Sequence, residues 1–285
     1  YGTKNMTITT KDSDTISTSP ATAPTKGYIE AWVDENASSP YTSTYTHDHS
    51  GSSANNGFAN WSIRNVIPNA DISASGDFIR LTLLGDDNTA LWLDNVSIVE
   101  RVGNSGAGTT TPTEILFGGT SGVKLTLGTS TRTKSDWTAF ALDSSKDYLV
   151  ILDITSDTAH DDTWANHTSG DGYYAINANT YNVANAGSTG YISNRTAQIT
   201  ELEVSSKPTI NTDYIAEMSR DGGTTYSPAV LSRLETSTGS ETMVIAQGEV
   251  SFTGDPSGTN MVGRIRTVNK DKVTVKGISV NWSNT

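Results

Sequence analysis

Short apolar runs that alternate with polar residues, each closed by a turn rich in Gly, Asn, Asp or Ser, recur along most of this chain, and they leave room for one fold class. DFIRLTLL (Asp77–Leu84) sets Ile79, Leu81 and Leu83 on one face and Arg80 and Thr82 on the other, the period-two pattern of a half-buried strand. The turn GDDN (Gly85–Asn88) follows, then ALWLDNVSIVE with Trp92, Val96 and Ile98 in one parity, which spells a hairpin. EILFGG, VKLTLG, SDWTAFAL and KDYLVILDI continue at roughly ten-residue spacing, the rhythm of a sandwich or jelly roll. Heptads, long amphipathic helices and solenoid-length repeats do not occur. The chain reads as all-β: two antiparallel, jelly-roll-like β-sandwich domains with a short N-terminal arm.

Pro20 and Pro24 make residues 1–26 a peripheral strand or arm followed by a linker. GYIEAWV (Gly27–Val33) opens a jelly roll expected over residues 27–205, and Lys207-Pro208 marks the start of a smaller sandwich over 206–285. NMTITT has a second reading, as a strand of that smaller sandwich with the jelly roll inserted between it and the rest. In the last strand Val273 and Val275 have one parity while Ile278, Val280 and Trp282 have the other, with Gly277 between them. A bulge at that point would restore a single buried face.

Charge and cysteine content exclude several functions. Nineteen Lys and Arg stand against 31 Asp and Glu, a formal charge of −12, and such a surface repels phosphate backbones and anionic lipid. With no Cys, thiol nucleophiles, thiolate metal sites and disulfides are removed together. The most apolar stretch, YLVILDI (Tyr148–Ile154), is far short of the ~18 residues of a membrane span. No signal-peptide pattern is visible in the residues given, and a start at Tyr1 rather than Met fits an upstream segment that has been removed.

Each candidate for chemistry has a plainer reading. His47-Asp48-His49, with His160 or His167, offers two imidazoles and a carboxylate to a transition metal, but these residues read first as polar loop tips. Asp157, Asp161, Asp162 and Asp171, following Asp153, are an oxygen-rich set for a structural Ca²⁺; they lack EF-hand spacing, and a solvated acidic loop is the alternative. No other cofactor is expected. Asp86 with Asp87, or Asp94 with Glu100, would serve glycoside hydrolysis only if two carboxyls faced each other across a cleft. Gly118–Gly122 (GGTSG) lacks the Gly-Lys-Ser/Thr of a phosphate loop, and no Gly-x-Ser-x-Gly elbow occurs. Trp164, Tyr173, Tyr174, Tyr181 and Tyr191 lie in or beside a polar excursion, placed to stack on sugar rings or to meet a neighbouring subunit. Trp32, Trp61, Trp92, Trp137 and Trp282 sit in strand patterns and are expected in the cores.

Two stretches carry a family resemblance. DYIAEMSRDGGTTYSPAVLSRLE, followed by GEVSFTGDPSGTNMVGRIRTVNKDKVTVKGISVNW, resembles a module of tailed-phage virion and tail-fibre proteins, through its SRDGGTTY turn, its PSGTN turn and its Lys-Gly-hydrophobic ending before Trp. FIRLTLLGDDNTALWLDNVSIVE through KDYLVILDI is similar to galactose-binding-like jelly rolls, found in phage structural proteins and in carbohydrate-binding modules. The resemblance implies a non-enzymatic virion component whose partners are copies of itself, other virion proteins and cell-surface polysaccharide, with no nucleic acid and no membrane insertion. The alternative is a carbohydrate-binding module of a secreted polysaccharide-active protein.

Overall fold

A computed structural model describes residues 2–4, 8–9, 13–34, 36, 41–46, 62–84, 91–104, 106–125, 132–154, 172–175, 192–193, 199–236, 243–269 and 272–284. Its first strands are β1 (Gly2–Lys4), β2 (Ile8–Thr9), β3 (Ser13–Thr18) and β4 (Lys26–Asp34). Then come β5 (Thr42–Thr46), β6 (Ser62–Ile67), β7 (Gly76–Leu84), β8 (Leu91–Glu100), β9 (Thr113–Glu114), β10 (Val123–Leu125), β11 (Arg132–Lys134) and β12 (Thr138–Leu142). These are followed by β13 (Tyr148–Ile154), β14 (Gly172–Ala175), β15 (Ile192–Ser193) and β16 (Ile199–Ser205). The last are β17 (Tyr214–Ser219), β18 (Ser227–Ala229), β19 (Ser232–Thr236), β20 (Met243–Ser251), β21 (Met261–Thr267) and β22 (Lys272–Ser283).

Contacts divide the chain into one unit of residues 1–41 and 205–285 and another of residues 42–204. The first unit has a sheet ordered β1-β22-β4-β20-β19, with β2 also on β22, and a second ordered β18-β17-β21-β3. The sequence placed Gly27–Val33 in the jelly roll and residues 1–26 in an arm. The ladders put both elsewhere: β4 pairs along its length with β20 and β22, β1 and β2 pair with β22, and β3 pairs with β21. Pairing along both edges makes β4 a central strand, and its strict alternation turns Gly27, Ile29, Ala31 and Val33 into a core of Tyr214, Phe252, Ile265, Ile278 and Val280. A Cβ at Gly27 would stand 2.7 Å from Met218 Cε and 2.9 Å from Phe252 Cζ, so a larger residue there would have to push these core side chains aside.

The bulge read from the parity break in the last strand is present. Val275 lies opposite Val33 and Gly277 opposite Trp32, so Lys276 is the extra residue, and Val273, Val275, Ile278 and Val280 all face the core.

The second unit has sheets ordered β10-β8-β13-β6-β14-β15, with β9 on β8, and β11-β7-β16-β5, with β12 on β7. Leu81, Leu83, Val96, Ile98, Val150, Leu152 and Leu202 fill its core. A bulge corrects the reading of β8. Asn95 lies opposite Asp153 and Leu93 opposite Ile154, so Asp94 is extra, Leu93 joins the core, and Trp92 turns to the outer face. Trp32 and Trp137 are likewise half-buried rather than core, Trp282 is partly buried against the first unit's core, and Trp61 lies outside the described residues. β13 is buried on both faces: Leu149 and Ile151 form a separate cluster with Val66 and Val99 on the outer side. The Gly106–Gly108 segment lies over that side. Arg64 donates to the Gly106 carbonyl at 2.7 Å, and a Cβ at Gly108 would come within 2.6 Å of Val99 Cγ1.

Candidate functional site

The outer faces of the sheets carry carboxylates that are already committed. On the β7–β16 face Arg80 grips Glu203 with two bonds, at 2.8 and 3.0 Å, Lys134 adds a third at 3.0 Å, and the Arg80 guanidinium stacks on Trp137 at 4.7 Å. Burial would raise the Glu203 pKa, but the hydrogen bonds and charges of Arg80 and Lys134 outweigh it and hold the carboxyl below its ordinary value. On the β17–β21 face Glu217 is held by Arg264 at 2.6 Å and Arg266 at 3.1 Å, and Arg264 lies 3.7 Å over the Tyr226 ring. Here too burial is outweighed, and the Glu217 pKa is lowered. Lys124, directly across from Trp92, caps that ring at 4.7 Å. A ring face covered by a cation is not open to a sugar.

One concave surface differs. A groove of about 400 Å³ lies against the β19 edge of the first unit, lined by Tyr28, Val230, Ser232, Leu234, Gln247, Gly248 and Glu249. Strand period places these groups: Gln247 lies opposite Ser232, and Glu249 opposite Tyr28, while Ile29, Ala246, Val250 and Leu231 turn into the core. Close approach of the Ala229–Leu231 corner to β20 forms one wall; a Cβ at Gly248 would stand 3.0 Å from Ala229 Cβ. Val230 and Leu234 flank Ser232 and are 74 % and 52 % exposed. Glu249 accepts from Lys26 at 2.6 Å, a bond that raises the Lys26 pKa.

No family model matches the sequence, and no curated protein does. Among solved structures, one of infectious bursal disease virus, Gt strain, shares 10 % identity at a TM-score of 0.15, over 98 % of this chain and 41 % of that one. The lectin of Pleurotus ostreatus in its apo form shares 9 % identity at a TM-score of 0.22, over 98 % and 84 %. The chain thus spans about two-fifths of the viral chain it is compared with. Neither superposition bears on the chemistry of the groove.

The residues singled out by sequence are placed as follows. Trp164, Tyr181, Tyr191, Asp157, Asp161, Asp162, Asp171, His47, His49, His160, His167, Asp86 and Asp87 lie outside the described residues. Tyr173 and Tyr174 are in β14, their backbones opposite Arg64 and Ile63 on one side and Ser193 and Ile192 on the other. Asp94 and Glu100 are six residues apart on one strand, about 20 Å at ~3.3 Å per residue, too far for a glycosidase pair. Glu100 is moreover bound by Lys146 at 2.8 Å. Gly118 and Gly119, at φ +59° and +81°, form a tight turn closed by Phe117 and Thr120. Asp153 is buried beside Ser62 and Arg64; burial raises its pKa, and those two neighbours only partly offset it.

The sequence reading did not find the groove. Its signal was present in PAVLSRL, where Val230 and Leu234 are apolar in the parity opposite to Ala229 and Leu231. A strand with apolar residues on both faces has a use for each.

Proposed function

We propose that this protein is a non-enzymatic structural protein of a virion of the tailed-phage kind, a tail, fibre, spike or head-decoration component. It works by association with copies of itself, with other virion proteins and with the surface it meets. The observation that carries this reading is the edge strand β3. Among the described residues it is the outermost strand of its sheet, paired with β21 over six residues, and Thr15 and Ser17 are exposed. It contains no Pro or Lys, and Asp14 near its start is its one charge among the residues that blunt edges against pairing with another chain. At the opposite edge β18 is three residues long and carries Pro228.

The turns of the phage resemblance support the reading as fold-building parts. Arg220 of SRDGGTTY donates to the carbonyls of Pro24, Asp255 and Pro256 at 2.7, 2.6 and 3.0 Å, so that turn is tied to GDPSG. Asp221 accepts from Ser219 and from the Thr224 and Thr225 amides, and Gly222 and Gly223 take the positive φ the turn demands. The committed carboxylates Glu203 and Glu217 serve the same structural end. The second reading, carbohydrate binding, is favoured by the groove.

Ser17→Lys places a charge on the β3 edge without touching a core. Sedimentation velocity should show the wild-type chain as an oligomer and the variant shifted toward single chains at unchanged unfolding temperature. A variant that keeps the wild-type mass overturns the assignment of this edge.

A further inference from the structure

We infer that the groove at the β19 edge is a binding site for a neutral saccharide residue; the inference rests on the association reading and names what one of its surfaces takes. Size comes first. About 400 Å³ falls in the ~300–1,000 Å³ range of small-ligand sites.

Chemistry narrows the ligand. A saccharide presents hydroxyls that both donate and accept, set around apolar C–H faces. The groove answers with an amide (Gln247), a hydroxyl (Ser232), a phenol (Tyr28) and a carboxylate (Glu249), beside the exposed Val230 and Leu234. These polar groups are also unspent. Among the described residues no side-chain hydrogen bond engages Tyr28, Ser232 or Gln247, in contrast to the saturated networks around Glu203 and Glu217. Lys26 holds one oxygen of Glu249 and leaves the other to accept.

Charge decides the class of sugar. Lys26 neutralises Glu249, and Glu30, directly across from Gln247, leaves the face negative on a chain of net charge −12. Among the described lining residues there is no cation to hold a carboxylate or sulfate, so uronic and sialic acids are repelled and an uncharged hexose or N-acetylhexosamine is accepted.

The test titrates the full chain by calorimetry with cello-, malto-, manno-, galacto- and chito-oligosaccharides, and with oligogalacturonate and sialyllactose. At least one neutral series should bind with a Kd at or below about 1 mM, and the acidic probes should not. Gln247→Ala and Tyr28→Leu should each weaken that binding about ten-fold at unchanged unfolding temperature; the first side chain is exposed, which guards against loss of the fold. No neutral series binding by about 10 mM, binding untouched by both variants, or binding of the acidic probes alone would overturn the inference. So would a Val230→Asp variant that breaks up an oligomer, since the groove would then be a subunit contact. Solution mass measured on the same samples separates the two readings. An oligomer that ignores sugar overturns only the saccharide site, and a monomer that binds sugar overturns only the self-assembly.

Discussion

Deleting Lys276 should leave the first sandwich standing, while deleting Ser279 from the same strand should not. Lys276 is the residue squeezed out between Val275, opposite Val33, and Gly277, opposite Trp32. Without it the flanking pairs stay where they are and the ladder becomes regular. What is lost is a side chain 56 % exposed and its loose 3.7 Å approach to Asp34, a pair open to solvent on the lysine side and worth ~0–1 kcal/mol. Ser279 lies in register with Glu30, between the buried Ile278 and Val280. Removing it moves every residue on one side by one position and turns Val280 and Trp282 outward. Full burial of one such aliphatic side chain is worth ~1.5–3 kcal/mol. With the partly buried Trp282, and with the contact that makes Gly263 necessary (a Cβ would be 2.4 Å from Val280 Cγ2), the cost is about 3–5 kcal/mol. That is a large share of the ~5–15 kcal/mol of a typical domain. Urea titration read by hydrogen exchange of the Lys26–Asp34 amides isolates this unit from the other. The expected order is wild type and the Lys276 deletion close together, with the Ser279 deletion far below. Equal losses for the two deletions would refute the bulge and the shared face built on it.

Three further outcomes follow from the same geometry. Arg220→Ala removes three charge-assisted bonds to backbone carbonyls and should cost the first unit about 2–4 kcal/mol in thermal unfolding, with Arg220→Lys recovering only part because one ammonium cannot span three carbonyls. Glu203 and Glu217 have lowered folded pKa values, so their stabilisation is present above the unfolded carboxyl pKa of about 4.3. It is lost as pH falls through the folded values, and Glu217→Gln should flatten the acid limb of the first unit's melting curve. Asp153 has the opposite sign: its pKa is raised by burial, so Asp153→Asn should raise the melting temperature of the second unit at neutral pH, by a margin that shrinks as pH falls through the raised value.

How much of this was legible depended on whether the signal was local. Gly277 announced its bulge because a parity break and a glycine coincided in one strand. The Asp94 bulge left a similar trace, Leu91 and Leu93 in one parity and Val96 and Ile98 in the other, but Trp92 shared the even parity and concealed it. The turns SRDGGTTY and GDPSG could be read as turns; that Arg220 joins them could not, because its acceptors lie 196, 35 and 36 residues away. Long range also explains the N-terminal strands. GYIEAWV reads as a strand from its own residues, yet nothing in it says that its neighbours are β20 and β22, more than two hundred residues on. The candidate site had the same difficulty. Aromatic and acidic residues in polar loops attract attention, whereas Tyr28, Ser232 and Gln247 acquire meaning only when three strands bring them to one face.

The central claim is association, and light scattering of the purified chain across a dilution series tests it most directly. The expected mass is two or more times 30.3 kDa, a whole multiple that holds on dilution. A steady mass of 30.3 kDa at every concentration would contradict it.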